Sequence, residues 1–521
     1  MDQRGISPST IMAITFTTAA AATLRQRLAG VLGSAAQDLT ITTFHALGLR
    51  LIKQWSRELG FGHVPAVYGR DDARALLRNV AAGFGMEVAP EGPAREVDPW
   101  SMSISRLAFA LDRFRLASRS GPVDEQDDEI DGELLTSLSA AYEEQLRGQG
   151  AVDYPAMLKL PLQLFEMEPR ALRLMQDAYR FVTADEFQDT TRTQFKLLEQ
   201  IVDHHRNLAV VGDPKQAIFM WLGADPTILV DFPRQFPDAR VFPLDQNHRS
   251  TGVLVALTNA VAAPLKTGLE SWTANPQGPT ARLYTAIDET DEARFVAEEI
   301  RRLLDSAHID HSGQVAVLYR TNAQARGLAL SLRDARLPFR VRADGDLFAQ
   351  SEVRDLVAYL RLAHCPTDGP ALARIINVPP RRLRAIEQAL RKRPVLVDQL
   401  PVWAQKRGGP TTRRSVEALL VLLAGVHNET QGQRPAEVLQ LILERIPYRA
   451  WLEAQKDGQA KLKAVDNLLA VLEATAAPDV GTWLVDMQLG ESEGPAAADG
   501  KCVTLTTIHG AKGCAPRDAL L

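Results

Sequence analysis

Phe181-Val182-Thr183-Ala184-Asp185-Glu186-Phe187-Gln188-Asp189-Thr190 is the stretch on which the fold turns. A short apolar run stops abruptly at two carboxylates. Extended backbone points neighbouring side chains in opposite directions, so a strand ending in Asp-Glu can divide two tasks between them. One carboxylate can hold a hard cation through oxygen or water, while the other accepts a proton from attacking water. The pair alone is a weak signal, because 64 acidic residues in 521 give about eight adjacent pairs by chance. The strand before it supplies the meaning, since open α/β sheets collect ligands at the carboxyl ends of their strands.

Outward from this stretch, strand and helix alternate. Leu208 to Gly212 is a second apolar run ending on an acid, Asp213. Upstream, Ile11 to Phe16 and Leu39 to Phe44 have the β-branched character of buried parallel strands. The first is followed by Leu24, Leu28 and Leu32 at helical spacing, with Thr17 or Thr18 as cap and Gly33 as stop. Leu47, Leu51 and Trp55 begin another helix. Residues 70–165 are helical in periodicity and poor in strands, and 271–280 reads as a linker. A strand at Gln314 to Tyr319 and a helix over 323–335 open a second α/β region. Residues 366–493 are again helical, Glu493 to Gly500 is a loop, and Cys502 to Ile508 is a last strand. The pattern is two α/β units, each interrupted by a helical insertion.

Composition sets limits without naming a task. A length of 521 residues suggests about three or four domains, and 45% hydrophobic with 24% charged residues is ordinary for a globular chain. No apolar run is long enough to span a bilayer and no secretion signal opens the chain. Cys365, Cys502 and Cys514 lack the spacing of a zinc site or disulfide framework, which fits a reducing cytoplasm. The net charge of −5 neither announces nor excludes a nucleic-acid partner, because phosphate contact depends on local patches.

Several motifs together carry a resemblance. Ala184 to Thr190 resembles the Walker B motif of UvrD/Rep/PcrA-like superfamily 1A DNA helicases. Val210-Val211-Gly212-Asp213-Pro214-Lys215-Gln216-Ala217-Ile218-Phe219-Met220-Trp221 resembles the motif that links nucleotide to DNA. Leu244-Asp245-Gln246-Asn247-His248-Arg249-Ser250-Thr251 resembles the arginine-bearing fourth motif. Ile14-Thr15-Phe16-Thr17 and Thr43-Phe44-His45-Ala46-Leu47-Gly48 match the early single-strand motifs. Ala316 to Gln324 and Glu352 to Leu362 match the second motor domain, and Thr507-Ile508-His509-Gly510-Ala511-Lys512-Gly513 resembles motif V. All occur in the family's order.

The resemblance implies an α/β fold of two RecA-like parallel-sheet motor domains, each with a helical insertion subdomain, of the P-loop NTPase helicase type. The expected boundaries are 1–68 and 166–272 for the first motor, 69–165 for its insertion, 273–365 and 499–521 for the second motor, and 366–498 for the second insertion. It implies an ATP-dependent 3′-to-5′ helicase or translocase acting on single-stranded DNA and duplex junctions in repair, replication or recombination, in a bacterial-type cytosol. ATP and Mg²⁺ are the implied cofactors. Asp185 would hold Mg²⁺, Glu186 would activate water, Gln216 would sense the γ-phosphate and Arg249 would neutralise its charge. His248 stands where relatives stack a tyrosine on adenine. Phe16, Thr17, His45, Phe219, Trp221 and Lys512 are the implied DNA contacts, the aromatics by base stacking.

The sequence also departs from the family. Leu222 replaces a frequent arginine. After Asn377-Val378-Pro379-Pro380 the family's glycine turn gives way to Arg381-Arg382-Leu383-Arg384, which leaves phosphate contact or a solvated arginine cluster. The phosphate-binding Gly-x-x-x-x-Gly-Lys-[Ser/Thr] loop is expected just before Ile11, where only residues 1–10 stand. Gly500-Lys501-Cys502 does not replace it. After Gly513 the expected Leu-Glu and sixth motif give way to Cys514-Ala515-Pro516-Arg517. The reading is therefore of a motor incomplete at both ends and deficient in ATP turnover, with an inactive single-stranded DNA-binding remnant as the alternative.

Overall fold

A computed structural model of the protein describes residues 5–86, 103–116, 130–342, 346–381, 383, 386, 400–475, 477–488 and 501–512. The expected loop over 493–500, Arg382, Arg384 and the end beyond Lys512 lie outside the described residues. The chain forms two compact units: residues 1–183, 192–208 and 345–494, and residues 184–191, 209–344 and 495–521.

The first unit opens with β1 (Ile11–Thr15), whose Met12 and Ile14 are almost wholly buried. The Thr17 hydroxyl accepts from the Ala20 amide and starts helix Thr18–Leu32, which Gly33 ends at φ 59°. Next, β2 (Thr40–Thr43) pairs in parallel with β1, Met12 opposite Thr40 through Thr15 opposite Thr43. Thr43 caps helix Phe44–Gln54. That helix lies so close to helix Tyr154–Met167 that a Cβ on Gly48 would stand 2.0 Å from the Met157 carbonyl oxygen. Only glycine fits there.

The first unit also contains a small parallel pair that the sequence did not signal. β3 (Ala66–Val67) and β4 (Ala151–Val152) align Ala66 with Ala151. Two residues each are too short for a periodic pattern to show. β5 (Phe181–Ala184) and β6 (Leu208–Val210) complete a sheet of order β2-β1-β5-β6. The division between units falls within these last two strands, whose final residues belong to the second unit.

Described residues between 346 and 488 supply an extensive apolar cluster of the first unit. Helix Ser351–His364 runs through it, with Val353, Leu356 and Leu360 fully buried against Leu372, Leu439 and Leu468. Its polar residues tie it to helix Arg70–Gly83. Arg361 reaches Asp72 at 2.5 Å and holds Asp368 through two nitrogens, and Arg354 reaches Asp71 at 2.8 Å.

The second unit has its own parallel sheet. β7 (Ala316–Tyr319), β8 (Phe339–Arg342) and β9 (Val503–Thr507) are ordered β7-β9-β8, so the last strand in sequence is inserted between two earlier ones. Ile300, Val317, Leu332, Val503 and Leu505 form its core. The expected linker at 271–280 holds no helix or strand, yet it is tied back: Trp272 accepts from the Asn247 amide and donates to the Asp245 carbonyl. The fold is α/β with parallel sheets. Among the described residues no helix is long and apolar enough to cross a membrane.

Candidate nucleotide and nucleic-acid site

The acidic end of β5 is built by the backbone of the next strand. The Val211 amide donates to Ala184, and the Phe187 amide donates back to Val211, both at 2.9 Å. Between them Glu186 takes a left-handed conformation, φ 52° and ψ 42°, and its amide donates to Asp185 Oδ1 at 3.0 Å. A non-glycine residue adopts this conformation only when its surroundings enforce it.

Gln188 is the hub. It is fully buried, its Nε2 donates to Glu186 Oε2 at 2.5 Å, and its Oε1 accepts from the Asp213 amide at 2.9 Å. The Asp213 carboxylate in turn accepts from the Lys215 amide at 3.0 Å and from Gln216 Nε2 at 2.9 Å. One continuous set of hydrogen bonds therefore joins Glu186 to Gln216 through two residues that carry neither expected role.

Asp185 is exposed and Glu186 half-buried at the strand end. No cluster of three or more metal-ligating side chains occurs among the described residues. Two carboxylates at an open edge nonetheless fit magnesium, which keeps several waters and binds through one or two carboxylates plus substrate phosphates.

His248 and Arg249 lie in an exposed turn. Asn247 Oδ1 shapes it by accepting from the Arg249 amide at 2.8 Å and the Ser250 amide at 2.7 Å. Neither side chain makes a hydrogen bond or ion pair among the described residues, so both extend into solvent.

A cluster of aromatic and charged groups lies on the other side of Gln216. Phe219 and Trp221 flank His509, with ring centroids 6.1 and 5.7 Å away and the Trp221 and His509 planes nearly perpendicular. Trp221 is half exposed. Lys512 Nζ stands 5.0 Å from the Phe219 ring centroid, 2.5 Å from the Gln216 carbonyl oxygen and 2.5 Å from Asp189 Oδ2. Burial pushes the Asp189 carboxyl above its ordinary range, and the Lys512 ammonium opposes that shift. Lys512, expected at the DNA, is thus engaged inside the protein. Leu222, in the place of the frequent arginine, is exposed.

Phe16, Thr17 and His45 belong to the first unit. Phe16 is half-buried just after β1, and Thr17 uses its hydroxyl as a helix cap. The His45 ring meets Tyr154 edge-on at 5.5 Å, and burial lowers its pKa to about 4. A neutral imidazole brings no positive charge to a phosphate.

Arg381 also turns inward. Its guanidinium donates to the carbonyls of Ile375 and Val378 at 2.8 and 2.7 Å and to the Tyr359 hydroxyl. Of the two readings of this arginine segment, phosphate contact and solvated surface, the Arg381 side chain follows neither.

Sequence reasoning singled out neither Gln188, Asp189 nor His509 for a role. All three sit inside quoted motifs, but what distinguishes Gln188 and Asp189 is burial, and what distinguishes His509 is its contact with rings distant in sequence.

Comparison with known proteins fits this geometry. Residues 1–237 match the model of the UvrD/REP helicase N-terminal domain, and 242–393 match the UvrD-like helicase C-terminal domain. The ATP-dependent DNA helicase UvrD1 of Mycobacterium tuberculosis is 31% identical over 553 residues, covering 98% of this chain and 71% of that protein. The ATP-dependent DNA helicases PcrA of Leuconostoc citreum and Bacillus subtilis are 28% and 27% identical, covering 98% of this chain and 69% and 71% of their own lengths. The chain belongs to the UvrD/REP helicase family.

Proposed function

We propose that this chain is an ATP-dependent DNA helicase that moves 3′ to 5′ along single-stranded DNA and opens adjoining duplex. The observation that carries this reading is the hydrogen-bond chain from Glu186 through Gln188 and Asp213 to Gln216. It ties a carboxylate suited to water activation to an amide suited to reporting a terminal phosphate.

In this scheme Asp185 would hold a magnesium ion, which would supply positive charge at the phosphates. Glu186 orients the attacking water and accepts its proton, while Gln188 fixes the direction of that carboxylate. Gln216 contacts the γ-phosphate and Arg249 neutralises charge developing on it. His248 offers its ring to the adenine. Phe219 and Trp221 stack on bases, a contact every base can make, which suits movement over any sequence. Phe16 and Thr17 are further strand contacts, with His45 acting as a neutral ring.

The test is DNA-stimulated ATP hydrolysis together with displacement of a strand from duplexes tailed at either the 3′ or the 5′ end. Hydrolysis that Glu186→Gln abolishes, with displacement only on the 3′-tailed duplex, is expected on this reading, in place of the deficient turnover expected from the sequence alone. Hydrolysis unchanged in Glu186→Gln overturns the assignment of the base. Strand binding without any hydrolysis leaves a protein that grips DNA but does not turn over ATP.

A further inference from the structure

We propose that Lys512 is a positioning residue and not a phosphate contact: its ion pair with buried Asp189 locks the Gln216–Trp221 segment in the shape that presents Phe219 and Trp221 to bases. The inference rests on the DNA-binding part of the function proposed above.

The donor inventory argues first. A lysine ammonium has three hydrogens. The Gln216 carbonyl takes one at 2.5 Å, Asp189 Oδ2 stands 2.5 Å from Nζ as an ion-pair partner without hydrogen-bond geometry, and the Phe219 ring lies 5.0 Å away. The Lys512 side chain is 12% exposed and that of Asp189 0%. An ammonium so enclosed has little left to offer a phosphate, and its charge is already matched.

The position of the partners argues second. Asp189 follows the acidic pair in the turn that Gln188 anchors. Gln216 O and the Phe219 ring belong to the segment that carries the phosphate-sensing amide and the stacking rings. Lys512 therefore bridges the nucleotide side of the unit to its strand-gripping side. His509 holds the same segment from its far end, against Phe219 and Trp221. A carboxylate kept from water needs such a partner, so losing either charge releases the other and the segment with it.

The experiment titrates the full chain with a labelled oligothymidylate over a series of salt concentrations. Lys512→Met and Asp189→Asn should each weaken binding roughly tenfold, the size of losing about one base stack. The double variant should be no weaker than either single one, and Lys512→Arg should keep most of the affinity. The slope of log affinity against log salt should not change. On an abasic strand, where no base can stack, the variants should match the unmodified chain.

Several results would overturn the proposal. One is a salt slope shallower by about 0.7 in Lys512→Met alone, the mark of one lost phosphate contact on a single strand. Another is tighter binding by Asp189→Asn, as expected if that carboxylate merely competed with DNA for the lysine. A loss that persists on the abasic strand is a third. Hydrogen exchange at the amides of residues 217–223 without DNA provides a second measurement: it should quicken in both single variants, and unchanged exchange sinks the proposal. If the unmodified chain does not bind the oligonucleotide, the strand-gripping function fails, while the exchange rates still decide whether the pair holds the segment.

Discussion

Gly212 and Gln188 are packed so closely that a methyl group on the glycine would stand 2.6 Å from the glutamine amide oxygen. The same methyl would meet Leu229 at 2.9 Å, so neither neighbour can retreat without disturbing the other. Gly212→Ala is therefore expected to displace the Gln188 amide and release Glu186 from its hydrogen bond. Overpacking of this kind costs about 1–3 kcal/mol. Urea unfolding should show that loss, and Gln188→Ala should remove most of the additional effect of Gly212→Ala. Additive losses in the two variants would mean that the methyl acts elsewhere.

Arg361 is the charged joint of the first unit, reaching Asp72 at 2.5 Å while holding Asp368 through two nitrogens. Asp368 also caps helix Gly369–Ile375 by accepting from the Ala371 amide at 3.0 Å. Arg361→Met leaves two carboxylates without their cation, and removing one partner of such a buried pair costs about 3–5 kcal/mol. An early unfolding transition in urea is expected. A midpoint unchanged from that of the unmodified chain would contradict it.

His364 gives the first unit a sensitivity to acid. Burial lowers its pKa from 6.5 to about 3, with Lys53 and His427 adding to the shift and Asp479 opposing it. Its Nε2 is buried without a hydrogen-bond partner among the described residues. The unfolded chain takes up a proton near pH 6.5 that the folded chain refuses until about pH 3. Stability on this account is complete above pH 6.5 and falls as the pH drops toward 3. Between pH 6.5 and 5 the loss approaches about 2 kcal/mol. Urea midpoints compared at those two pH values should differ less in His364→Leu; an equal difference would place the acid sensitivity on other groups.

Trp221 is half exposed beside His509 and offers a face to bases. Trp221→Ala should weaken binding to a single strand by about 1–3 kcal/mol, with the salt slope unchanged. Fluorescence anisotropy measures both quantities. Affinity indifferent to the substitution would remove Trp221 from the interface.

The strands were readable because buried parallel strands are continuous apolar runs. Phe181–Ala184 was read to the residue and five further strands to within one or two residues of their ends, whereas Phe339–Arg342 and the two short strands Ala66–Val67 and Ala151–Val152 were not read. Gly33 as a stop was equally plain, and the cap was narrowed to Thr17 or Thr18, of which Thr17 serves, since both signals act on their immediate neighbours. Lys512 was readable only as a polar residue in a motif. Its partner lies 323 residues earlier in sequence, and no local pattern encodes that meeting. Arg381 shows the same limit: an arginine run looks solvated until backbone carbonyls are found around it. Gln188 could have drawn notice as an amide between acids, but its burial is a property of packing alone.

The left-handed backbone at Glu186 has a consequence beyond aiming one carboxylate. Such a conformation at a non-glycine residue holds about 1–3 kcal/mol of strain, and what restrains it is contact with Val211 and, through Gln188, with Asp213. Glu186 is therefore a cocked element whose catch lies on a different strand. Movement of the loop after Val210 would reach both carboxylates, through Gln188 to Glu186 and through the Glu186 amide to Asp185.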